Sequence, residues 1–165
     1  MRTQALDNFC NWLEHTPVSQ AIQTINWIVP AVQTVHILAI AAVMGSALMI
    51  NLRLVGVLGR DQPLPRFSSR FLPVIWWALP VLLATGIVMI VGEPVRSLEN
   101  PIFQLKMCLV VTAIAITLGF QLPLGKNPSF WESSGGRRAA SRLLAALSLA
   151  IWVGIIFAGR WIAYY

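Results

Sequence analysis

The chain has 165 residues, of which 57% are hydrophobic and only 11% are charged. Soluble domains carry about 25% charged residues, so this composition has too few polar side chains to cover a soluble globule. The formal net charge of +6 would suit nucleic-acid binding in a soluble protein. Here the cations flank long apolar stretches, which argues against nucleic acid and indicates membrane lipids as partners.

The first predicted element is an N-terminal amphipathic helical region that lies in the membrane interface, over about residues 4–25. Its apolar residues recur at helical spacing and its polar residues lie elsewhere around the turn. The Thr16-Pro17 pair divides this region. Ser19 is expected to cap the second part, which runs to about Trp27.

Four long apolar stretches follow, and each contains a core without Asp, Glu, Lys or Arg. Each is long enough to cross roughly 30 Å of hydrocarbon at about 1.5 Å per helical residue. We therefore predict an all-α fold, a polytopic membrane four-helix bundle with an N-terminal amphipathic interfacial helix, in one domain over residues 1–165. The expected spans are about 28–54, 72–91, 102–122 and 139–163.

Between the spans, proline and glycine mark the breaks. Gly56–Arg70 is expected to be an exposed turn, Pro94 to begin a short surface helix, and Pro123–Ser141 to form the longest polar linker. Pro80 is expected to kink the second span near its middle.

The distribution of cations predicts the orientation of the bundle. The connections after the first and third spans hold eight of the twelve Lys and Arg residues and only two acids. By the positive-inside rule these connections are cytoplasmic, and both termini face outward from a bacterial inner membrane. The two connections contain Arg53, Arg60, Arg66, Arg70, Lys126, Arg137, Arg138 and Arg142, with Asp61 and Glu132; the other side contains Arg2, Arg96, Lys106 and Arg160, with Asp7, Glu14, Glu93 and Glu99.

Ionisable residues at membrane depth are costly and usually face the interior of a bundle, a cavity or a partner. Helical rise places His36 roughly 13 Å and Lys106 roughly 7 Å below the outer boundary. Gln33 lies one turn above His36, and Arg160 lies at the outer end of the fourth span. The candidate site is therefore in the outer half of the membrane.

Two interpretations of His36 remain open. It is either a neutral histidine that bonds a neighbouring helix, or a ligand to b-type haem or to copper. Neutral imidazole suits both groups, and sulfur from a nearby side chain would suit Cu(I) or a His/Met haem. The sulfur candidates are Met89, Met107 and Cys108, although methionines in an apolar span are usually packing residues.

Two interpretations of Lys106 also remain. Its ammonium either extends toward the lipid head groups, or forms with Arg160 a cationic pocket for haem propionates, a quinone oxygen or a lipid phosphate. A stripe of small residues in the fourth span indicates close helix packing, within the bundle or between copies of the chain. The stripe is Ala146, Ala150, Gly154 and Ala158.

Three segments carry a family resemblance. They are His36-Ile-Leu-Ala…Gly45…Asn51-Leu-Arg-Leu-Val-Gly56, Asn100-Pro-Ile-Phe-Gln-Leu-Lys106-Met and Ser148-Leu-Ala-Ile-Trp152…Ala158-Gly-Arg160-Trp-Ile-Ala-Tyr. Together they resemble an uncharacterised family of small bacterial four-span membrane proteins. That family is in turn similar to the copper-resistance D membrane proteins and to small b-type cytochrome bundles. The resemblance implies an inner-membrane bundle with His36, Lys106 and Arg160 at matching positions, and it brings no known activity.

Three hypotheses for function follow. The first is a non-catalytic membrane subunit or anchor in an electron-transfer assembly, with haem or quinone as the group held in its outer half. The second is copper handling through His36 and nearby sulfur ligands. The third is a structural bundle that partners another membrane protein or itself. The sequence contains no recognisable nucleophile–base pair, acidic dyad or metal cage, so an independent enzyme is not expected.

Overall fold

A computed structural model describes residues 4–59, 61–127, 129–131 and 133–162. The described residues form seven helices and no strand. These are α1 (Gln4–Glu14), α2 (Pro17–Thr24), α3 (Ile28–Val55), α4 (Leu64–Gly92), α5 (Pro94–Leu98), α6 (Pro101–Lys126) and α7 (Gly135–Trp161). Four of them, α3, α4, α6 and α7, are long and apolar enough to cross a membrane. The protein is therefore a multi-pass integral membrane protein, and the predicted all-α bundle is confirmed.

The spanning helices extend further at the arginine-rich connections than the sequence predicts. α4 begins at Leu64 and includes residues expected in an exposed turn, because Pro65 occupies its first turn, where no backbone N–H is needed. α6 continues through Pro123 to Lys126. α7 begins at Gly135, where the hydroxyl of Ser134 caps the helix by accepting from the backbone N–H of Arg137 at 3.3 Å.

The connection between α6 and α7 is shorter and less polar than predicted. Trp131 turns back into the bundle, where it is buried, and its indole Nε1 donates to the backbone oxygen of Phe120 at 3.1 Å. The ring of Phe130 packs edge-on against Trp131, and the guanidinium of Arg137 lies 4.3 Å from the centre of the Phe130 ring. The prediction of one long polar linker over 123–141 is therefore wrong.

The N-terminal region consists of two helices divided at Thr16-Pro17, as the sequence predicts. Thr16, not Ser19, caps α2: its hydroxyl accepts from the backbone N–H of Ser19 at 3.3 Å. α2 ends at Thr24, earlier than the expected end near Trp27. α1 packs against α5 and α2 packs against α4, so that Cys10 and Ser19 are fully buried.

Within the membrane, α3 packs along both α4 and α7, and α6 packs along α7. We call the end of the bundle that carries α1, α2 and α5 the α1 end, and the opposite end the arginine-rich end. Two hydrogen bonds join helices in the arginine-rich half. Asn51 donates to the Ser148 hydroxyl at 3.1 Å between α3 and α7, and the indole of Trp76 donates to Gln121 Oε1 at 3.0 Å between α4 and α6.

The small residues of α7 do not share one environment. Ala146 and Ala150 are exposed, whereas Ala158 is buried and a side chain at Gly154 would contact Leu109 at 3.5 Å. The stripe therefore contributes to packing inside the bundle only at its α1 end. Among the residues used for the predictions above, Arg2, Arg60, Glu132 and the expected end of the fourth span at residue 163 lie outside the described residues.

Candidate functional site

His36 on α3 is held by a threonine on α4 that the sequence did not identify as a partner. Its Nδ1 lies 2.7 Å from the hydroxyl oxygen of Thr85, and the same oxygen lies 2.7 Å from the backbone oxygen of Val81. A carbonyl oxygen only accepts, and a hydroxyl has one proton to donate. The arrangement that satisfies both contacts has Thr85 donating to Val81 and accepting from the Nδ1–H of His36. The lone pair of His36 Nε2 is then available to a ligand or a proton donor.

Lys106 on α6 approaches the same region from the other side of the bundle. Its ammonium lies 3.7 Å from the position that a Cβ on Gly159 of α7 would occupy. The amide of Asn100, just before α6, donates to the backbone oxygen of Ile162 at 3.4 Å and so fixes how α6 and α7 align along their axes. With this alignment, the Lys106 side chain reaches Gly159 by leaning toward the α1 end. Helical side chains lean in this way toward the start of their helix.

A chamber of about 200 Å³ lies at the α1 end, and its lining includes neither His36 nor Lys106. Gln33 and Met89 line it from α3 and α4, and Gly159, which lies next to the Lys106 ammonium, lines it from α7. Ile22 of α2 also lines it, as do Glu93 just before α5 and Arg96 and Ser97 within α5. Residues from α2, α3, α4, α5 and α7 thus surround one small volume, and Lys106 of α6 approaches it next to Gly159.

Gly86 on α4 lies next to the ring of His36. A Cβ added at Gly86 would lie 3.9 Å from His36 Cε1, which is an ordinary van der Waals contact, so alanine would also fit at this position. The sequence Thr85-Gly86 therefore supplies the hydrogen-bond partner of His36 and a small residue against its ring.

The other predicted site residues are not brought together. Met107 and Cys108 are exposed on the surface of α6, although they directly follow Lys106. Consecutive helical residues point about 100° apart, so a helix that turns Lys106 inward turns these two outward. Arg160 is exposed in the last turn of α7, next to Gly159. In the described part of the chain, no group of three or more His, Cys, Asp or Glu side chains is placed to hold a metal ion.

The second histidine of the chain takes no part in the chamber. His15 is exposed just after α1, and its Nδ1 donates to the backbone oxygen of Asn11 at 2.7 Å. It is therefore bonded within its own helix rather than to His36. This leaves His36 as the histidine of the membrane-spanning region.

Thr85 is the residue of the candidate site that sequence analysis missed. It is the hydroxyl residue of an apolar span, and such residues commonly bond the carbonyl one turn back in their own helix, as Thr85 does with Val81. That local bond hides the second one to His36, which lies 49 residues away in the chain. The adjacent glycine was the available signal, because a small residue beside a polar one allows a neighbouring helix to approach.

The chain matches a known protein family over nearly its whole length. Residues 9–165 match the family described as a family of unknown function, DUF6644. No curated protein and no solved structure matches the chain. The four spans, His36, Lys106 and the chamber all fall inside the matched range. The chain therefore belongs to the DUF6644 family, a family of unknown function.

Proposed function

We propose that this protein is a non-catalytic membrane subunit or anchor of an electron-transfer assembly, and that its chamber at the α1 end holds the headgroup of a quinone. One observation carries the proposal. A lysine ammonium lies next to Gly159, which lines a chamber of about 200 Å³, and a histidine with an available ring nitrogen lies one helical turn from Gln33, which lines the same chamber.

The chemistry of these groups suits a quinone headgroup. The Lys106 ammonium donates hydrogen bonds, and a quinone carbonyl oxygen accepts them. His36 Nε2 accepts, and the hydroxyl of the reduced form donates. The amide of Gln33, which lines the chamber, can do both. A few convergent polar groups in an apolar cavity are the usual composition of a small-molecule site.

The chamber fits haem and copper less well. Ligand and cofactor pockets are commonly about 300–1,000 Å³, so the chamber of about 200 Å³ would hold haem only if the helices separated. Of the three sulfur candidates for copper, Met89 lines the chamber, whereas Met107 and Cys108 are exposed on α6. The resemblance to copper-resistance D proteins and b-type cytochrome bundles therefore adds no ligand set to this proposal.

The proposal includes a location and an orientation. By the positive-inside rule, the Arg-rich connections support an orientation in a bacterial inner membrane with the arginine-rich end in the cytoplasm and both termini on the periplasmic side. The whole chain then forms one transmembrane domain in contact with membrane lipids. The partner is a second membrane protein or another copy of this chain, and it meets the largely lipid-exposed surfaces of α4 and α6.

The direct test is quinone binding by the purified protein in mild detergent. We expect quinone in the solvent extract, and binding of a decyl-tailed benzoquinone that is weakened about tenfold or more in His36→Ala and Lys106→Met, equivalent to roughly 1.4 kcal/mol. The matched controls are His15→Ala and Lys126→Met, which change the second histidine and the second lysine away from the chamber. Both controls should bind like the wild type.

The same preparation separates the alternatives. A visible Soret band that is lost in His36→Ala would identify haem, rather than quinone, as the bound group. Stoichiometric copper would support copper handling. Absence of quinone, haem and copper, with no binding of the tailed benzoquinone, would overturn the proposal and leave a structural bundle.

A further inference from the structure

A second cavity lies in the arginine-rich half of the bundle, where residues of all four spanning helices meet. Its volume is about 30 Å³. That is close to the roughly 30 Å³ that one water molecule occupies in the liquid, and it is too small for a quinone or a lipid headgroup. The lining is otherwise apolar, but it includes one polar residue each from α3, α6 and α7: Asn51, Thr117 and Ser148.

Two of these residues have hydrogen-bonding capacity that the described part of the chain does not use. Asn51 and Ser148 are both 5% exposed, and the Asn51 amide donates to the Ser148 hydroxyl oxygen at 3.1 Å. Among the described residues, neither side chain makes another hydrogen bond. The carbonyl oxygen of Asn51 can still accept, and the hydroxyl of Ser148 can still donate. Buried polar groups of this kind nearly always have a partner.

Thr117 adds an acceptor from a third helix. Its hydroxyl donates to the backbone oxygen of Ala113, one turn back in α6, at 2.9 Å. That bond uses the hydroxyl proton and leaves lone pairs on the oxygen. The three polar residues of the lining therefore offer one hydroxyl donor, from Ser148, and two oxygen acceptors, from Asn51 and Thr117. A water molecule is the complement of this set, because it can accept from one group and donate to two.

We propose that this cavity binds one water molecule, which accepts from Ser148, donates to Asn51 and Thr117, and so joins α3, α6 and α7. Buried waters typically make about three hydrogen bonds to polar groups that would otherwise be unpaired. The hydrocarbon around the bundle supplies no such partner, so the bound water stabilises the folded state. The described lining contains no carboxylate to balance a cation, which favours water over a metal ion. The site lies in the opposite half from the chamber and does not depend on the proposed function.

X-ray radiolysis can test for a water at this depth, because the hydroxyl radicals that it makes from a bound water oxidise the side chains next to that water. Ile50 and Ile155 form a matched pair for this measurement. Both belong to the buried core and both are 5% exposed, but Ile50 lines the cavity and Ile155 does not. The protein is irradiated in lipid nanodiscs with short pulses, and the oxidation rate of each isoleucine is measured by mass spectrometry.

We expect Ile50 to be oxidised about fivefold faster than Ile155 or more, since only Ile50 lies next to the bound water. Equal oxidation rates would overturn the proposal. The Asn51→Leu/Thr117→Val variant removes both acceptors, and an apolar cavity stays dry, so the rate for Ile50 should fall to that for Ile155. A rate that stays at the wild-type value would also overturn the proposal, because it would show that radicals reach Ile50 from bulk water.

Thr117→Val alone is a second variant, which keeps the bond between Asn51 and Ser148 and so serves if the double variant does not fold. The loss of one hydrogen bond to the water should lower the oxidation rate of Ile50 about twofold or more. Thr112→Val is its control, because the exposed Thr112 hydroxyl bonds the carbonyl of Cys108 in its own helix at 2.8 Å. This control should leave the rate for Ile50 unchanged. The same rate for Ile50 in both single variants would overturn the proposal.

Discussion

The imidazole of His36 and the hydroxyl of Thr85 join α3 to α4 across 2.7 Å, in the half of the bundle near the α1 end. Because Thr85 also donates to the carbonyl of Val81, His36 is held as the tautomer with a proton on Nδ1. A histidine that is oriented through one ring nitrogen presents the other in a fixed direction, as is usual for ligand-binding histidines.

Thr85→Val should remove this orientation and weaken binding of the tailed benzoquinone about tenfold. The loss of one interhelical hydrogen bond should also lower the free energy of unfolding by about 0.6 kcal/mol, the average for such bonds in membrane proteins. Binding titrations and unfolding in mixed micelles with increasing SDS measure the two effects. In a His15→Ala background, the ¹⁵N chemical shifts of His36 report the tautomer directly.

Thr85→Ser keeps the hydroxyl and should retain both binding and tautomer. Thr112→Val is the matched control, since the Thr112 hydroxyl bonds only the carbonyl of Cys108 in its own helix, at 2.8 Å, and the residue is exposed. Unchanged binding in Thr85→Val would show that the threonine does not orient His36 for the ligand.

Trp131→Ala should be among the most destabilising single substitutions in the chain. The residue is 7% exposed, stacks on Phe120 and donates to the Phe120 backbone. Truncation of a buried tryptophan costs about 3–5 kcal/mol, because it removes buried apolar surface and leaves a cavity. Unfolding in SDS mixed micelles measures the change in free energy.

Trp77→Ala is the control for Trp131→Ala, because Trp77 is 79% exposed on the lipid-facing surface of α4. Its substitution should change the free energy of unfolding by about 0.5 kcal/mol or less. Equal changes in the free energy of unfolding for the two substitutions would contradict the burial of Trp131 against Phe120. Trp131→Phe should fall between them, since it keeps much of the ring and loses the hydrogen bond.

Cys10 should react slowly with thiol reagents at neutral pH. Burial raises the pKa of the Cys10 thiol, and the carboxylates of Glu99, Asp7 and Glu14 raise it further. Because the thiolate is the reactive form, the labelling rate of Cys10 should be well below that of a free cysteine and should still increase above the ordinary thiol pKa. The measurement is the rate of labelling from pH 7 to pH 10 in Cys108→Ser.

Glu99→Gln should lower the pKa of Cys10 toward its ordinary value and increase the labelling rate. Glu93→Gln should not, because Glu93 is exposed and pairs with Arg96 at 2.8 Å.

The raised pKa of Cys10 also determines how its contribution to the free energy of unfolding depends on pH. Since folding raises the pKa of this thiol, its contribution to stability is present below the ordinary thiol pKa and is lost as the pH rises through the folded-state value. A Cys10 that labels at the rate of a free thiol at pH 7 would contradict its burial.

The burial of Cys10 also makes this native thiol a poor probe of membrane topology. Two exposed positions serve better: Asn8 on α1 and Ser69 near the start of α4. In a Cys10→Ala/Cys108→Ser background, a membrane-impermeant maleimide should label Asn8→Cys in intact spheroplasts and should label Ser69→Cys only after lysis. The opposite pattern would place the arginine-rich end outside and reverse the proposed orientation.

The sequence predicted where along the bundle the candidate residues lie, but not which of them come together. The sequence placed His36, Gln33, Lys106 and Met89 in one half of the membrane, because helical rise converts residue number into depth. Depth does not determine which way a side chain faces. Met107 and Cys108 lie at the right depth, yet both are exposed, because the rotation of α6 that brings Lys106 toward Gly159 turns its two neighbours outward.

The fold was likewise predictable only in part. Local composition was enough to predict the spans, but the ends of α4, α6 and α7 depend on contacts that a linear pattern does not contain. Pro65 and Pro123 appeared to be breaks, whereas both lie within helices. Trp131 appeared to belong to a polar linker, whereas its burial against Phe120 shortens that connection.

The sequence by itself therefore determined that this is a membrane protein with four apolar spans and an asymmetric distribution of Arg and Lys, since hydrophobicity and charge are sums over consecutive residues. Only the tertiary structure decided that Thr85 holds His36, that Gly159 meets Lys106 and that Ile22 lies against Gly92. The physical reason is that each of these contacts depends on the rotation and separation of two helices. Rotation and separation are set by packing across the whole bundle rather than by neighbours in the chain.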